Sequence, residues 1–350
     1  MRFGAPADIV YMAKPHIGTD ILSGVVENIL KEIVRLGGEV MYHTTFLSPV
    51  EKNGRVTAVH TDRGDLPCGA VVLAVGHSAR DTYGTLMKSG VLFEAKSFSV
   101  GMRIEHLAED IDTAMYGDAA GHPALGHAEY ALSHNTKIRG VYTFCMCPGG
   151  EVVAATSEAG HVVVNGMSRY RRDGRNSNCA VVCSVFKEDY GATPATAIAY
   201  QSAIEKAAFS AGGADYSVPL TTVGDFLDGT EGTEPRRILP TYMNGAAYRL
   251  TSPERYLPPV VTGAIRGALS DFDRKIRGFS ARDAVLSGAE TRTSAPIRMP
   301  RDAGTRTAVG YDNLYPAGEG AGYAGGITSA AADGLHTALA ILARFAPPLR

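Results

Sequence analysis

Tryptophan is absent from this 350-residue chain, and cysteine is scarce. The five cysteines are Cys68, Cys145, Cys147, Cys179 and Cys183. So low and odd a count argues against a disulfide framework and fits a reducing cytoplasm. No run of about 18 apolar residues occurs, so no membrane span is expected. The opening, MRFGAPADIVYMAKPH, lacks an apolar core of signal-peptide length. Charge of one sign is lacking too: 34 basic residues face 36 acidic ones, for a formal charge of −2. With no basic face in prospect, a nucleic-acid partner is not expected. The nearest basic cluster, Arg169, Arg171, Arg172 and Arg175, reads as a solvated loop.

What the chain does have is enough apolar material for a core, 45% of its residues, and 40 glycines that cluster rather than scatter. Its length suggests two domains. Apolar Ile21, Leu22, Val25, Val26, Ile29, Leu30, Ile33 and Val34 recur at helical spacing. Thr19 is the expected cap of that helix and Gly37 its left-handed end. A strand is expected over Glu39–Thr45. Asn53-Gly54 marks a hairpin leading into a strand at Arg55–Thr61. Ala70–Gly76 is continuously apolar, as in a strand covered on both faces.

Further on, strands are expected over residues 91–105 and at Gly140–Cys145, Val152–Ala155, His161–Val164 and Ala180–Val185. Residues 106–140 read as loop-rich. A helix is expected over Ala195–Ala211, capped by Thr193, opened by Pro194 and ended by Gly212. Asn313–Pro316 leads into a glycine-rich stretch and then an Ala-rich helix from Ile327 to about Phe345. The fold class expected is α/β. It comprises an incomplete Rossmann-like cofactor domain, three-layered with a β-meander, and an inserted α+β domain. The segments are 1–90 and 306–350 for the first and 91–305 for the second.

Three motifs carry chemistry. The first is Tyr315-Pro-Ala-Gly-Glu-Gly-Ala-Gly-Tyr-Ala-Gly-Gly-Ile327. Glycines 318, 320, 322, 325 and 326 let backbone approach a ligand. The helix behind them offers free N–H groups and a partial positive charge. That end suits a phosphate or the carbonyl edge of a reduced flavin. Glu319 can accept from sugar or ribityl hydroxyls. The plainer reading is a glycine-rich turn ahead of a packed helix.

The second motif is Val71-Val-Leu-Ala-Val-Gly-His-Ser-Ala-Arg-Asp81, a strand end, where open α/β sheets bind ligands. His77 and Arg80 are candidates for touching cofactor or substrate, and Ser78 with Asp81 fits a helix capping box. The third is Cys145-Met-Cys147-Pro-Gly-Gly150. It reads as buried thiols first, an active-site thiol second and half a metal site last. His122, His127 and His134 match no ligand spacing, and no metal site is expected. Asn165–Ser168 and Arg175–Ser177 read as polar loop. Arg292, in Glu290-Thr-Arg-Thr-Ser294, either holds an anionic substrate or flavin phosphate, or pairs with Glu290.

Taken together, seven phrases resemble one family in the same order. They are KPHIGTD at Lys14–Asp20, LAVGHSARDTY at Leu73–Tyr83, EAK…VGMRIEH at Glu94–His106, FCMCPGG at Phe144–Gly150, NGMS at Asn165–Ser168, ETRTSAPIR at Glu290–Arg298 and YPAGEGAGYAGGI at Tyr315–Ile327. The chain resembles the bacterial FAD-dependent dehydrogenases known as NAD(P)/FAD-dependent oxidoreductases, from about Phe3 to Leu339. The resemblance implies a flavoprotein whose discontinuous FAD domain carries an inserted domain. Cofactor contacts are expected from Gly76, His77, Gly318, Glu319, Gly320, Gly322, Tyr323, Gly325, Gly326 and Ile327. His77, Arg80, Cys145, Cys147 and Arg292 are candidates for catalysis on a small-molecule substrate, with NAD(P) as possible electron donor or acceptor.

The family carries G-x-G-x-x-G after a first strand, and none stands near the start of this sequence. Ser97 and Leu107 replace expected prolines, and Asn176–Cys179 departs from the usual phrase. The expectation is therefore a chain cut short at its N-terminal side. Two readings follow: an FAD-dependent dehydrogenase, or a non-catalytic chain that folds without holding FAD by itself. In either case the missing segment, or self-association through an exposed sheet, is the expected partner.

Overall fold

The computed structural model describes residues 1–345. In chain order the first elements are α1 (Thr19–Arg35), β1 (Phe46–Lys52), β2 (Arg55–Thr61), β3 (Gly64–Pro67), β4 (Val71–Leu73), α2 (Arg80–Lys88), β5 (Glu94–Ala95), β6 (Phe98–Leu107) and α3 (Ala108–Tyr116). There follow β7 (Ser133–Asn135), β8 (Gly140–Cys147), β9 (Glu151–Ala154), β10 (Val164–Met167), β11 (Asn176–Val185), α4 (Lys187–Tyr190), α5 (Pro194–Ala211), β12 (Val218–Thr222) and α6 (Val223–Asp228). The last are β13 (Tyr248–Leu250), α7 (Pro259–Lys275), β14 (Val285–Glu290), β15 (Ile297–Arg298), β16 (Leu314–Pro316) and α8 (Ile327–Arg344). The fold is mixed α/β. It divides into two units, one of residues 1–40, 100–184 and 202–291, the other of 41–99, 185–201 and 292–350.

The first unit is built on a seven-stranded sheet ordered β13-β12-β14-β6-β11-β8-β7. It is largely antiparallel, with β12 and β13 parallel at one end. Nearly every residue of the central strands β6 and β11 is buried, as a sheet covered on both faces requires. α7 buries Val261, Ile265, Leu269 and Phe272, the i, i+4 face expected of a helix lying on a core. β9 and β10 form a separate antiparallel pair in which Glu151 stands opposite Met167.

The second unit holds a β-meander, β1-β2-β3, and a parallel pair, β4 with β16. The β1–β2 hairpin closes through Asn53 and Gly54, both at positive φ (54° and 77°), the mirror-image turn that Asn-Gly favours. A buried side chain stitches the two sheets together. Asn313 accepts from the Val56 N–H (2.9 Å) and donates to the carbonyls of Val56 (2.7 Å) and Gly69 (3.0 Å). The core beneath comprises Val56, Leu73, Leu86, Val91, Met299, Leu314 and Ala321.

Several expectations need correction. Residues 39–45 are not a strand; extended pairing starts at Phe46. The apolar run after Ala70 is strand only over Val71–Leu73, and Val72 is 47% exposed, so both faces are not covered. α1 is capped by the backbone of Gly18, and Thr19 instead donates to the Ser168 carbonyl. No residue of α1 is buried, which leaves Val26, Ile29, Ile33 and Val34 exposed. α3 lies in the segment expected to be loop-rich, and α7 in a stretch for which no element was expected. Asn165–Ser168 and Arg175–Ser177 are not polar loops: β10 and β11 run through them, and Asn176 and Ser177 are fully buried. Among the described residues no helix is long and apolar enough to cross a membrane.

Candidate functional site

The carboxyl ends of the parallel strands β4 and β16 collect most of the candidate residues in the second unit. β4 runs out into Gly76, His77 and Ser78 ahead of α2, and β16 into residues 317–326 ahead of α8. Parallel pairing of Leu314 with Val71 and Pro316 with Leu73 points both exits the same way.

A polar chain crosses this end. A guanidinium nitrogen of Arg292 donates to Ser78 Oγ (2.5 Å), and Ser78 Oγ lies 2.9 Å from His77 Nδ1. With Ser78 donating, the imidazole proton sits on Nε2, which faces Glu319 Oε2 at 3.5 Å. The order Arg292, Ser78, His77, Glu319 therefore fixes a tautomer and aims an N–H at a carboxylate. Arg80 is held beside it by Gln201 Oε1 (2.7 Å). Tyr83, buried in α2, donates its hydroxyl to the Gly76 carbonyl (2.8 Å), and burial pushes that phenol well above its ordinary value. The capping box does not form. α2 starts at Arg80 with no side-chain cap, because Ser78 is committed to His77 and Arg292 and Asp81 accepts from the Thr82 N–H. Nor does Arg292 pair with Glu290, whose carboxylate is taken by Arg103 in the other unit.

The glycine-rich turn divides by function. A Cβ on Gly320 would lie 2.5 Å from the Gly76 carbonyl oxygen, and one on Gly322 would lie 2.4 Å from that of Ile297. These two are glycine because their own protein approaches closely. Gly326 is different: a Cβ there meets nothing within 4 Å. It caps the 18-residue helix α8 with no side-chain hydrogen bond, so the first N–H groups stay available to an anion. The spacing Gly320-x-Gly322-x-x-Gly325 sits between strand and helix, the setting of a phosphate loop. Read one glycine at a time, the sequence hid that spacing.

Asp333 was not foreseen. From α8 it accepts from the Gly318 N–H (2.8 Å), from Arg301 (2.6 and 3.0 Å) and from Arg306. Burial opposes ionisation there, but the Arg301 and Gly318 hydrogen bonds prevail and hold the carboxyl well below the usual range. Tyr323 joins the same clamp: its hydroxyl accepts from the Arg301 N–H (3.1 Å), and the Arg301 guanidinium lies 3.6 Å from its ring centroid. A polar residue inside an Ala-rich helix was the signal available for Asp333.

Cys145 and Cys147 belong to the first unit, on β8. The pairing of β8 with β11 is irregular there, and Cys145 takes a positive φ of 43°. Cys145 is exposed. The Cys147 thiol is pushed up by burial, although Arg103 and Ser168 pull against this, which is not the setting of an activated thiolate. Arg103 is fully buried. It donates to both oxygens of Glu290 (3.0 and 3.3 Å), to Asn178 Oδ1 (2.8 Å) and to the Cys145 carbonyl (3.1 Å). His127 and His134 pair with Asp112 and Asp271. In the basic cluster, Arg172 pairs with Glu129 and Arg175 donates to the Arg237 carbonyl. Among the described residues no group of three or more His, Cys, Asp or Glu is placed to hold a metal ion.

Residues 97–293, more than half of the chain, match the family described as FAD-dependent protein, C-terminal domain-like. The chain is 44% identical to an uncharacterised protein of Clostridium beijerinckii over 99% of its own length, and spans 65% of that relative's. Among solved structures it is similar to an oxidoreductase from Methanosarcina mazei, at 12% identity and a TM-score of 0.31. That likeness covers 91% of this chain and 54% of the other.

Proposed function

We propose, from the premise that the chain belongs to the family of FAD-dependent proteins with this C-terminal domain, that it serves an FAD-dependent oxidoreductase, a dehydrogenase acting on a small molecule. The whole protein's activity is part of the proposal, because the chain spans 65% of the length of the relative it matches. Segments 1–90 and 306–350 are assigned to the cofactor and 91–305 to the substrate. The observation that carries this reading is the open, uncapped start of α8 at Gly326, beside the backbone contact of Gly320 with Gly76.

The residues present fit FAD in chemistry. Gly326 and the Ile327 turn offer N–H donors to phosphate or to an anionic ring edge, while the Gly325 N–H is held by Ser329 Oγ (3.3 Å) and shapes the turn. Glu319 and His77 offer an acceptor and a donor to hydroxyls. Gly76 and Gly318 shape the two loops, Gly320 and Gly322 bring backbone together, and Tyr323 braces Arg301. FAD, when bound, supplies hydride or electron transfer; the protein contributes orientation and electrostatics. Arg292, through Ser78, holds His77 in the tautomer that keeps Nε2 protonated. Arg80 adds positive charge at the same strand end. The family description names FAD and no second nucleotide, so no residue is assigned to NAD(P). Absorbance of the purified chain after incubation with FAD and desalting tests the reading.

Self-association belongs to the same proposal. Val72 on β4 and Leu335, Leu339 and Leu342 on α8 are exposed, and the last three recur at the i, i+4, i+7 spacing of one helix stripe. A two-stranded parallel pair with an exposed apolar residue is a pairing edge.

A further inference from the structure

The first unit contains a cavity of about 240 Å³ to which no cofactor contact has been assigned. Its floor is backbone. Gly174 N–H donates to the Gly149 carbonyl (3.0 Å), and a Cβ on Gly174 would come within 2.6 Å of that oxygen. A Cβ on Gly150 would come within 2.5 Å of the Met167 carbonyl oxygen. The floor is thus fixed and bare of side chains.

Two methionines, Met167 and Met243, line the cavity. Met243 is tied to β9 by its N–H to the Val152 carbonyl (3.0 Å). Thioether side chains adapt to apolar groups of varied shape. The remaining lining is charged: Arg169, Glu151 and Asp173. Among the described residues none of the three makes an ion pair, with one another or elsewhere, although Arg172, three residues from Arg169, is paired with Glu129. Arg169 does exert a Coulombic pull on Asp20. One cation, two anions and an apolar wall therefore share a concavity with no internal neutralisation.

The volume lies below the roughly 300–1,000 Å³ of pockets for drug-sized ligands, which suits a ligand of few atoms. We propose that this cavity binds a zwitterionic α-amino acid with an apolar side chain. Its carboxylate meets the Arg169 guanidinium, its ammonium meets Glu151 and Asp173, and its side chain lies on Met167 and Met243. A guanidinium facing a carboxylate gives the charge-assisted pairing that small-ligand sites favour. This site needs no flavin, so its test stands whether or not FAD binds.

The probe is L-leucine, titrated calorimetrically into the full chain without FAD. Isocaproate, which lacks the ammonium, and isoamylamine, which lacks the carboxylate, serve as comparisons. The expected result is saturable binding of L-leucine and binding at least about tenfold weaker for each comparison compound. Arg169→Gln, at an exposed position, and Glu151→Gln, an isosteric change at a half-buried one, are expected to weaken leucine binding about tenfold while melting at the wild-type temperature. No saturable leucine binding would overturn the proposal. So would equal binding of all three compounds, or variants that bind leucine as the wild type does.

Discussion

Asp333 Oδ2 lies 2.8 Å from the backbone nitrogen of Gly318, so the carboxylate that neutralises Arg301 and Arg306 also holds the glycine-rich turn to α8. Both arginines are largely buried there. Asp333→Ala leaves them without their common counter-charge, and the expected cost is about 3–5 kcal/mol. Urea unfolding measures it, and a loss under about 1 kcal/mol would contradict the clamp.

The same carboxylate predicts a pH dependence. Its folded pKa is depressed. Its contribution to stability is therefore complete above the unfolded value near about 4 and is lost as the pH falls below that. Asp333→Asn should show a shallower fall in melting temperature between about pH 4 and pH 2 than the wild type. Parallel melting curves against pH would refute the assignment.

Glu105 predicts the opposite slope. It is buried in the first unit and accepts from Thr241 and Asn176, yet burial pushes its carboxyl up to about 7. The folded state prefers the protonated acid, so its ionisation penalty is absent below about pH 4 and grows as the pH rises to about 7. The penalty reaches at most about 3 kcal/mol. The melting temperature of Glu105→Gln, relative to wild type, should rise between pH 5 and pH 8. A constant difference across that range would count against a buried, titrating Glu105.

Arg103 and Glu290 form a buried pair 187 positions apart in sequence. Arg103→Met strands a buried carboxylate and should cost about 3–5 kcal/mol. Arg103→Met with Glu290→Leu should recover part of that loss, because the stranded charge goes too. Additive losses in denaturant unfolding would show that the two residues do not act as a pair.

Exposed Leu335, Leu339 and Leu342 predict association of the isolated chain. Size-exclusion chromatography with light scattering should find oligomers at micromolar concentration, and Leu339→Lys should shift the population toward monomer. A sharp wild-type monomer peak would remove this prediction.

Local signals were legible in the sequence. Thr193 and Pro194 located the start of α5: the Thr193 hydroxyl accepts from the Thr196 N–H, and the helix runs Pro194–Ala211. Asn53-Gly54 marked its hairpin, and the glycine cluster before Ile327 marked the start of α8. What was hidden depends on distance along the chain. The S-x-x-D spacing promised a capping box at Ser78, but Arg292, 214 residues away, takes that hydroxyl. Glu290 and Arg292 share a short phrase, yet adjacent β14 and β6 hand Glu290 to Arg103. α7 escaped notice because Pro258, Pro259, Gly263 and Gly267 read as breakers. Two prolines at the start of a helix are tolerated, since the first N–H groups have no partner there.

The most direct test of the central claim is an FAD titration, followed by flavin fluorescence and absorbance, of the wild-type chain and Gly326→Val. Gly326 has an extended φ of 169° and open space where a Cβ would stand, so valine should leave the fold intact, at a cost of no more than about 1 kcal/mol for the poorer helix cap, while crowding the donors at the start of α8. The account predicts saturable FAD binding by the wild type, and binding at least about tenfold weaker in the variant, the loss of one or two charge-assisted hydrogen bonds. FAD binding that is absent from the wild type, or equal in both proteins, would contradict it.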